Sequence, residues 1–138
     1  MTKELENLEK QFILNEDMEH EDIKGFITRL MKFCKIDNNG FVIIQSSKLR
    51  TVDKLLIILS ARYLANRLQQ KLGKESTIAE TITIKDLANM IKEKDAVIIA
   101  RLKDLKDSKK IIPRGRGIYQ IAPYAINDFL NELEGTKI

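Results

Sequence analysis

The feature that most constrains the fold is a long helix that is apolar around most of its circumference. Thr51 is a suitable N-cap, Asp53 favours the positive end of the helix, and Gly73 ends it. Apolar side chains cover two adjoining sides between these ends: Leu56, Leu59, Tyr63 and Leu64 on one side, and Leu55, Ile58, Ala61, Ala65, Leu68 and Leu72 beyond it. Because so wide a surface must be covered by several neighbours, we expect it to pack on the C-terminal part of the chain. The N-terminal segment or a second chain must cover the rest, so an oligomer interface and a purely internal role both remain open.

The segment before this helix is predicted to contain two short helices and one strand, over residues 3–13, 21–35 and 41–45. Apolar residues recur at helical spacing in both helices: Leu5, Leu8 and Phe12 in the first, and Ile23, Phe26, Ile27, Leu30 and Phe33 or Cys34 in the second. We divide the chain into residues 1–45, a helical segment with a short β run that is a candidate for dimerisation, and residues 46–138.

The second part follows the long helix with short strands and helices in alternation. A brief strand at 81–83 leads into a helix over 84–93, where Thr83 is the expected cap. Asp95 is expected to cap a further helix, and Ile98, Leu102 and Leu105 form its apolar stripe. Two β runs then flank the sequence PRGRG, and Pro123 begins a final amphipathic helix.

This order resembles a winged helix-turn-helix domain of the kind found in prokaryotic and archaeal transcription regulators. Three stretches carry the resemblance: IKDLANMI for the first helix of the motif, AVIIARLKDLKDSKKI for the recognition helix and IIPRGRGIYQI for the β-wing. The resemblance covers roughly residues 51–122. It implies a mostly α fold with a small β-wing (α+β), to which this chain adds N-terminal helices and a C-terminal helix.

Charge is distributed unevenly along the chain. Residues 1–45 hold six basic and nine acidic side chains, whereas residues 46–138 hold eighteen and eleven. Between Arg101 and Arg116 there are seven basic residues and two acidic ones. This asymmetry favours a polyanionic partner for the C-terminal part, and the alternative is an ordinary solvated lysine-rich surface.

The resemblance implies binding to double-stranded DNA, with the recognition helix in the major groove and the wing on phosphates or in the minor groove. The candidate DNA-binding residues are Val97, Ile99, Ala100, Arg101, Lys103, Lys106, Lys109, Lys110, Arg114 and Arg116. Arg101 could contact a guanine or a phosphate, and a surface ion pair is equally consistent with the sequence. Arg114 and Arg116 are expected to project from a glycine-rich tip without core contacts. We expect a homodimeric transcriptional regulator.

The proposed recognition helix departs from the usual pattern in one respect. Its exposed positions include the apolar residues Val97 and Ile99 and three aspartates that repel phosphate: Asp95, Asp104 and Asp107. A winged-helix module that binds protein within a transcription, replication or viral assembly is therefore the alternative. A regulator that senses a small-molecule effector has no sequence signal.

Enzyme chemistry has little support in the sequence. One His and one Cys exclude the common zinc sets, and no phosphate-binding loop or dinucleotide fingerprint is present. His20 is expected to be a solvated surface residue and Cys34 a core residue. We expect no cofactor, no metal and no catalytic residues. The longest apolar run, Leu55 to Leu59, is too short to span a membrane, and the single cysteine indicates a reducing, cytoplasmic setting.

Overall fold

A computed structural model describes residues 2–12, 20–46 and 48–136. These residues form a mixed α+β fold of six α-helices and two small antiparallel sheets. The helices are α1 (Thr2–Phe12), α2 (His20–Leu30), α3 (Thr51–Lys71), α4 (Ile84–Ile91), α5 (Asp95–Asp107) and α6 (Ile126–Thr136). The strands are β1 (Cys34–Ile36), β2 (Val42–Ile44), β3 (Ile82–Thr83), β4 (Ile111–Gly115) and β5 (Ile118–Ile121).

Helix α3 is the centre of the fold. Every residue from Leu55 to Ala61 is buried, so all sides of the helix are covered along this stretch. Helix α2 and the β1–β2 sheet pack on α3, as do α4, α5, α6 and β5. The predicted packing on the C-terminal part is confirmed, and of the two alternatives for further cover the N-terminal segment supplies it. The apolar surface of α3 is thus largely covered by elements of the same chain, and covering it does not require a second chain.

The two sheets have different partners. In the first, β1 and β2 form a hairpin with Cys34 opposite Ile44 and Ile36 opposite Val42. In the second, the strand order is β3-β5-β4, and both neighbours of β5 run antiparallel to it. The brief strand expected at 81–83 and the two β runs around PRGRG are therefore one sheet.

Strand β1 is the largest departure from the sequence prediction. The second helix was expected to continue to Lys35 but ends at Leu30, and residues 34–36 are extended. The apolar residues of this stretch are buried in either conformation, since Phe33 and Cys34 both lie in the core. Strand β2 consists of β-branched residues and pairs with residues six to ten positions earlier in a hairpin, and this pairing outweighs the local helical spacing.

Three helices begin within one residue of expectation, but only one of the three predicted caps is correct. Thr83 caps α4, and its hydroxyl accepts a hydrogen bond from the Asp86 N–H at 3.2 Å. Thr51 is the first residue of α3 rather than its cap, because Arg50 occupies the cap position and donates its N–H to Asp53 at 3.3 Å. Asp95 is likewise the first residue of α5 and not its cap. The predicted first helix extends to Ile13, which lies outside the described residues.

Arg62 connects α3 to two loops. Its guanidinium donates to the backbone carbonyls of Ala79 at 2.8 Å, Gly40 at 2.9 Å and Thr81 at 2.9 Å. Burial lowers the pKa of this guanidinium from its ordinary value, but an arginine remains charged in proteins. One side chain therefore holds the β1–β2 turn and the segment leading into β3 against the central helix.

Arg62→Ala should lower the free energy of unfolding by about 1–3 kcal/mol, because three carbonyls lose a charged donor. Arg50→Ala is the control: that side chain is exposed and pairs with Asp53 on the surface, so its loss should cost at most about 1 kcal/mol. Urea denaturation of the two variants measures the difference. Equal destabilisation would contradict the role assigned to Arg62.

A second arginine joins α2 to α6. Arg29 donates to Glu134 at 3.0 Å from Nε, to Asn127 at 3.2 Å and to Asn131 at 2.7 Å. The hydrogen bond from Arg29 holds the pKa of the Glu134 carboxyl below its ordinary value of 4.5. The final helix is thereby fixed against the N-terminal segment.

This lowered pKa predicts a pH dependence of stability. The Glu134 contribution is complete above pH 4.5 and is lost as the pH falls through the lower pKa of the folded state. Glu134→Gln should therefore reduce the difference between the urea midpoints at pH 7 and pH 3. Glu93→Gln makes the same chemical change at an exposed position at the end of α4 and should leave the difference as in the unchanged protein.

Candidate nucleic-acid interface

The first part of the candidate interface is the α4–α5 pair. A tight turn joins these helices, and Lys92 adopts a left-handed conformation with φ of 64° while its N–H donates to the Ala88 carbonyl at 2.8 Å. The two helices pack together and both pack on α3. The predicted apolar stripe of α5 is confirmed, since Ile98, Leu102 and Leu105 are buried. This packing orients the opposite side of α5 to solvent.

The solvent side of α5 contains most of the sequence-predicted residues. Six of them are exposed: Val97, Ile99, Ala100, Arg101, Lys103 and Lys106. At 3.6 residues per turn, Ala100 and Lys103 lie nearly opposite the buried stripe, as does Asp107. The centre of this surface therefore combines a small side chain with charges of both signs.

Val97 and Ile99 do not form one apolar patch. Their exposed fractions are 37% and 51%, but residues two apart on a helix point to nearly opposite sides. One therefore lies on each edge of the exposed α5 surface. A partner would have to span the whole surface to contact both.

Arg101 forms the surface ion pair that the sequence left open. Its Nε lies 3.1 Å from a carboxylate oxygen of Asp104, one turn further along, and both side chains are largely exposed. Such pairs contribute little to stability, so a phosphate can compete for the guanidinium at small cost. The pair also neutralises one of the aspartates that would repel DNA.

The end of α5 is fixed to the segment before α6. Lys109 has a left-handed backbone with φ of 62°, and its carbonyl accepts a hydrogen bond from the Tyr124 hydroxyl at 2.5 Å. The Lys110 N–H donates to the Leu105 carbonyl at 3.0 Å. Lys109 is exposed and Lys110 is partly buried, so the backbone that carries these two lysines is well defined. Tyr124 is half exposed and has this specific role.

The β4–β5 hairpin presents the remaining two candidates. Its register is irregular between Pro113 and Gly115, which makes Arg114 the bulged residue. Gly117 has a φ of 71°, a conformation that favours glycine, and its carbonyl accepts the Ile84 N–H at 3.1 Å. The hairpin tip is therefore tied to the start of α4.

The two arginines of the tip have different environments. The Arg114 Nε donates to Oε1 of Gln120 at 2.8 Å, and Gln120 is buried. The prediction that neither arginine has a core contact is thus wrong for Arg114. Arg116 is exposed, and none of the described side chains forms an ion pair or hydrogen bond with it.

Sequence reasoning missed Gln120 and Tyr124 as supports of the interface. Gln120 is a polar residue between two apolar strand neighbours. It follows Arg114 by six residues across a predicted hairpin, and this spacing could have indicated their contact. Tyr124 carries no such signal, because its partner is a backbone carbonyl fifteen residues earlier.

Comparison of the chain with protein-family models, curated protein sequences and solved structures gives no match. Among the described residues, no helix is long and apolar enough to cross a membrane. Nor does that part of the chain contain a group of three or more His, Cys, Asp or Glu side chains arranged to hold a metal ion.

The different environments of Arg114 and Arg116 predict different effects of their removal on the free energy of unfolding. Arg114→Ala should lower the free energy of unfolding by about 1–3 kcal/mol, because the buried Gln120 loses a donor. Arg116→Ala should change it by no more than about 0.5 kcal/mol. Adding Gln120→Met to Arg114→Ala should recover part of the loss, since both polar partners are then absent. Denaturation midpoints that are equal for the two single variants would contradict the assignment.

Proposed function

We propose that residues 51–122 are a winged helix-turn-helix domain and that the protein binds double-stranded DNA as a transcriptional regulator. The observation that carries the proposal is the order α3-β3-α4-α5-β4-β5 with strand order β3-β5-β4, combined with the basic excess between Arg101 and Arg116. In this proposal α5 is the recognition helix and the β4–β5 hairpin is the wing. The protein acts in the cytoplasm, by binding and not by catalysis, and requires no cofactor.

The α5 surface supports contact with the major groove. Ala100 has a small side chain that permits close approach and can contact a thymine methyl group. Lys103 and Lys106 follow it along the helix and reach phosphates, and Lys109 extends the basic surface beyond the helix. With Asp107 near the middle, the surface favours binding dominated by phosphate contacts over extensive base readout.

The β4–β5 hairpin supports a second contact with the backbone or the minor groove. Arg116 is exposed at its tip, and the guanidinium suits phosphate and a narrow minor groove. Arg114 contributes differently, because its bond to Gln120 helps to hold the hairpin in shape. Arg116 is therefore the residue of the wing on which DNA affinity depends most directly.

Arg116→Ala should weaken binding to duplexes of every sequence and reduce the slope of log K against log salt by about one, because one phosphate contact is lost. Lys74→Ala, which removes a charge from an exposed position in the loop after α3, should leave the slope unchanged. Fluorescence anisotropy with a random-sequence duplex over a salt series measures both. An unchanged slope for Arg116→Ala would exclude the wing from the interface.

A protein-binding module is the second candidate, and the exposure of Val97 and Ile99 favours it. Val97→Ser with Ile99→Ser distinguishes the two functions. If α5 enters DNA, in vitro site selection should return an altered sequence preference for this variant. If α5 binds protein, duplex affinity should stay constant and capture of a protein partner should be lost.

A further inference from the structure

Helix α1 exposes an apolar stripe. Leu5, Leu8 and Phe12 lie on one face, and their exposed fractions are 62%, 58% and 88%. An isolated helix of eleven residues is marginal in water, and it gains most of its stability by packing such a face. The stripe therefore needs an apolar surface to cover it.

An apolar groove of matching character lies between α2 and α3. One part has a volume of about 340 Å³ and includes Met31 and Leu64, and the adjoining part has about 300 Å³ and includes Ile23 and Leu72. Ile27 and Leu68 line both parts, so the two are continuous. Met31, Leu68 and Leu72 remain exposed along it.

The groove and α1 agree in length. Along α3 the groove extends from Ala61 to Leu72, which at 1.5 Å per residue is about 16 Å. Helix α1 has eleven residues and the same length of about 16 Å.

Helix α1 and the groove also have complementary charges. By helical geometry, Glu4 and Glu9 lie on either side of the α1 stripe. The groove carries lysines along its length, with Lys35 in one part and Lys24 and Lys71 in the other. The acidic residues beside the α1 stripe are therefore complementary to a groove with a basic rim and an apolar floor.

We propose that α1 of each protomer docks in the α2–α3 groove of a second copy, so that two chains form a dimer by reciprocal exchange of this helix. Each chain carries both the exposed stripe and the open groove, and a two-fold arrangement satisfies both at once. No residue of α5 or of the β4–β5 hairpin lines the groove. The proposal stands on its own and does not depend on DNA binding.

A disulfide between α1 and the groove tests the docking directly. The variant is Leu8→Cys with Leu68→Cys in a Cys34→Ala background, which removes the single native thiol. Leu8 is the middle residue of the stripe and Leu68 belongs to both parts of the groove. The two cysteines therefore come close whichever way the docked helix runs.

Mild oxidation of the full-length variant should give a covalent dimer on non-reducing electrophoresis. Asn7→Cys in place of Leu8→Cys puts the thiol on the opposite face of α1 and should give little cross-linking. A cross-linked monomer would overturn the proposal in favour of α1 docking on its own chain. Absence of any Leu8–Leu68 disulfide would overturn docking altogether.

Light scattering without DNA provides the second measurement. The unchanged protein should be dimeric, and Leu8→Asp should raise the dimer dissociation constant at least about tenfold, whereas Asn7→Asp should not. Circular dichroism melting of both variants verifies that the fold persists. A monomeric unchanged protein, including one that binds lipid vesicles through α1, would overturn the proposal, and so would a Leu8→Asp variant that remains fully dimeric. Because no duplex is present, either failure is independent of the DNA-binding proposal.

Discussion

The burial of α3 on all sides is the constraint on which the rest of the fold depends. A helix with consecutive buried residues from Leu55 to Ala61 has no solvent face there, so neighbours must surround it. Helix α2 and the β1–β2 hairpin supply part of this cover, and α4, α5 and β5 supply another part. The N-terminal segment and the candidate DNA-binding region thus share one helix as their common core element.

The C-terminal half of α3 controls the geometry of the candidate interface through polar contacts. Arg62 holds the backbone around Ala79 and Thr81, and Asn66 donates to the Ile78 carbonyl at 2.9 Å. Gln69 accepts the N–H groups of Thr77 and Ile78, both at 3.1 Å. These contacts fix the loop that leads into β3, and β3 in turn aligns β5 and the hairpin. Polar residues of the central helix therefore position a distant basic surface.

The second half of the chain was predicted well because its signals are local. Thr83 caps α4 through a residue three positions away, the α5 stripe recurs at helical spacing, and Gly117 permits the left-handed turn of the hairpin. The elements of the candidate interface and the exposure of most of its basic residues followed from these signals. The contact of Arg114 with Gln120 did not, because a hairpin bulge brings these side chains together and no simple alternation predicts one.

The sequence by itself determined the central helix, the need to cover it, and the order of helices and strands from Thr83 onward. These properties depend on apolar periodicity, caps and turn residues within a few positions of one another. Only the tertiary structure decided that residues 34–36 form a strand, that Arg62 joins two loops, and that the apolar surface of α3 is covered mainly within one chain. The strand depends on pairing across a hairpin, which overrides the local helical preference. The other two outcomes depend on partners far apart in sequence, which no local pattern predicts.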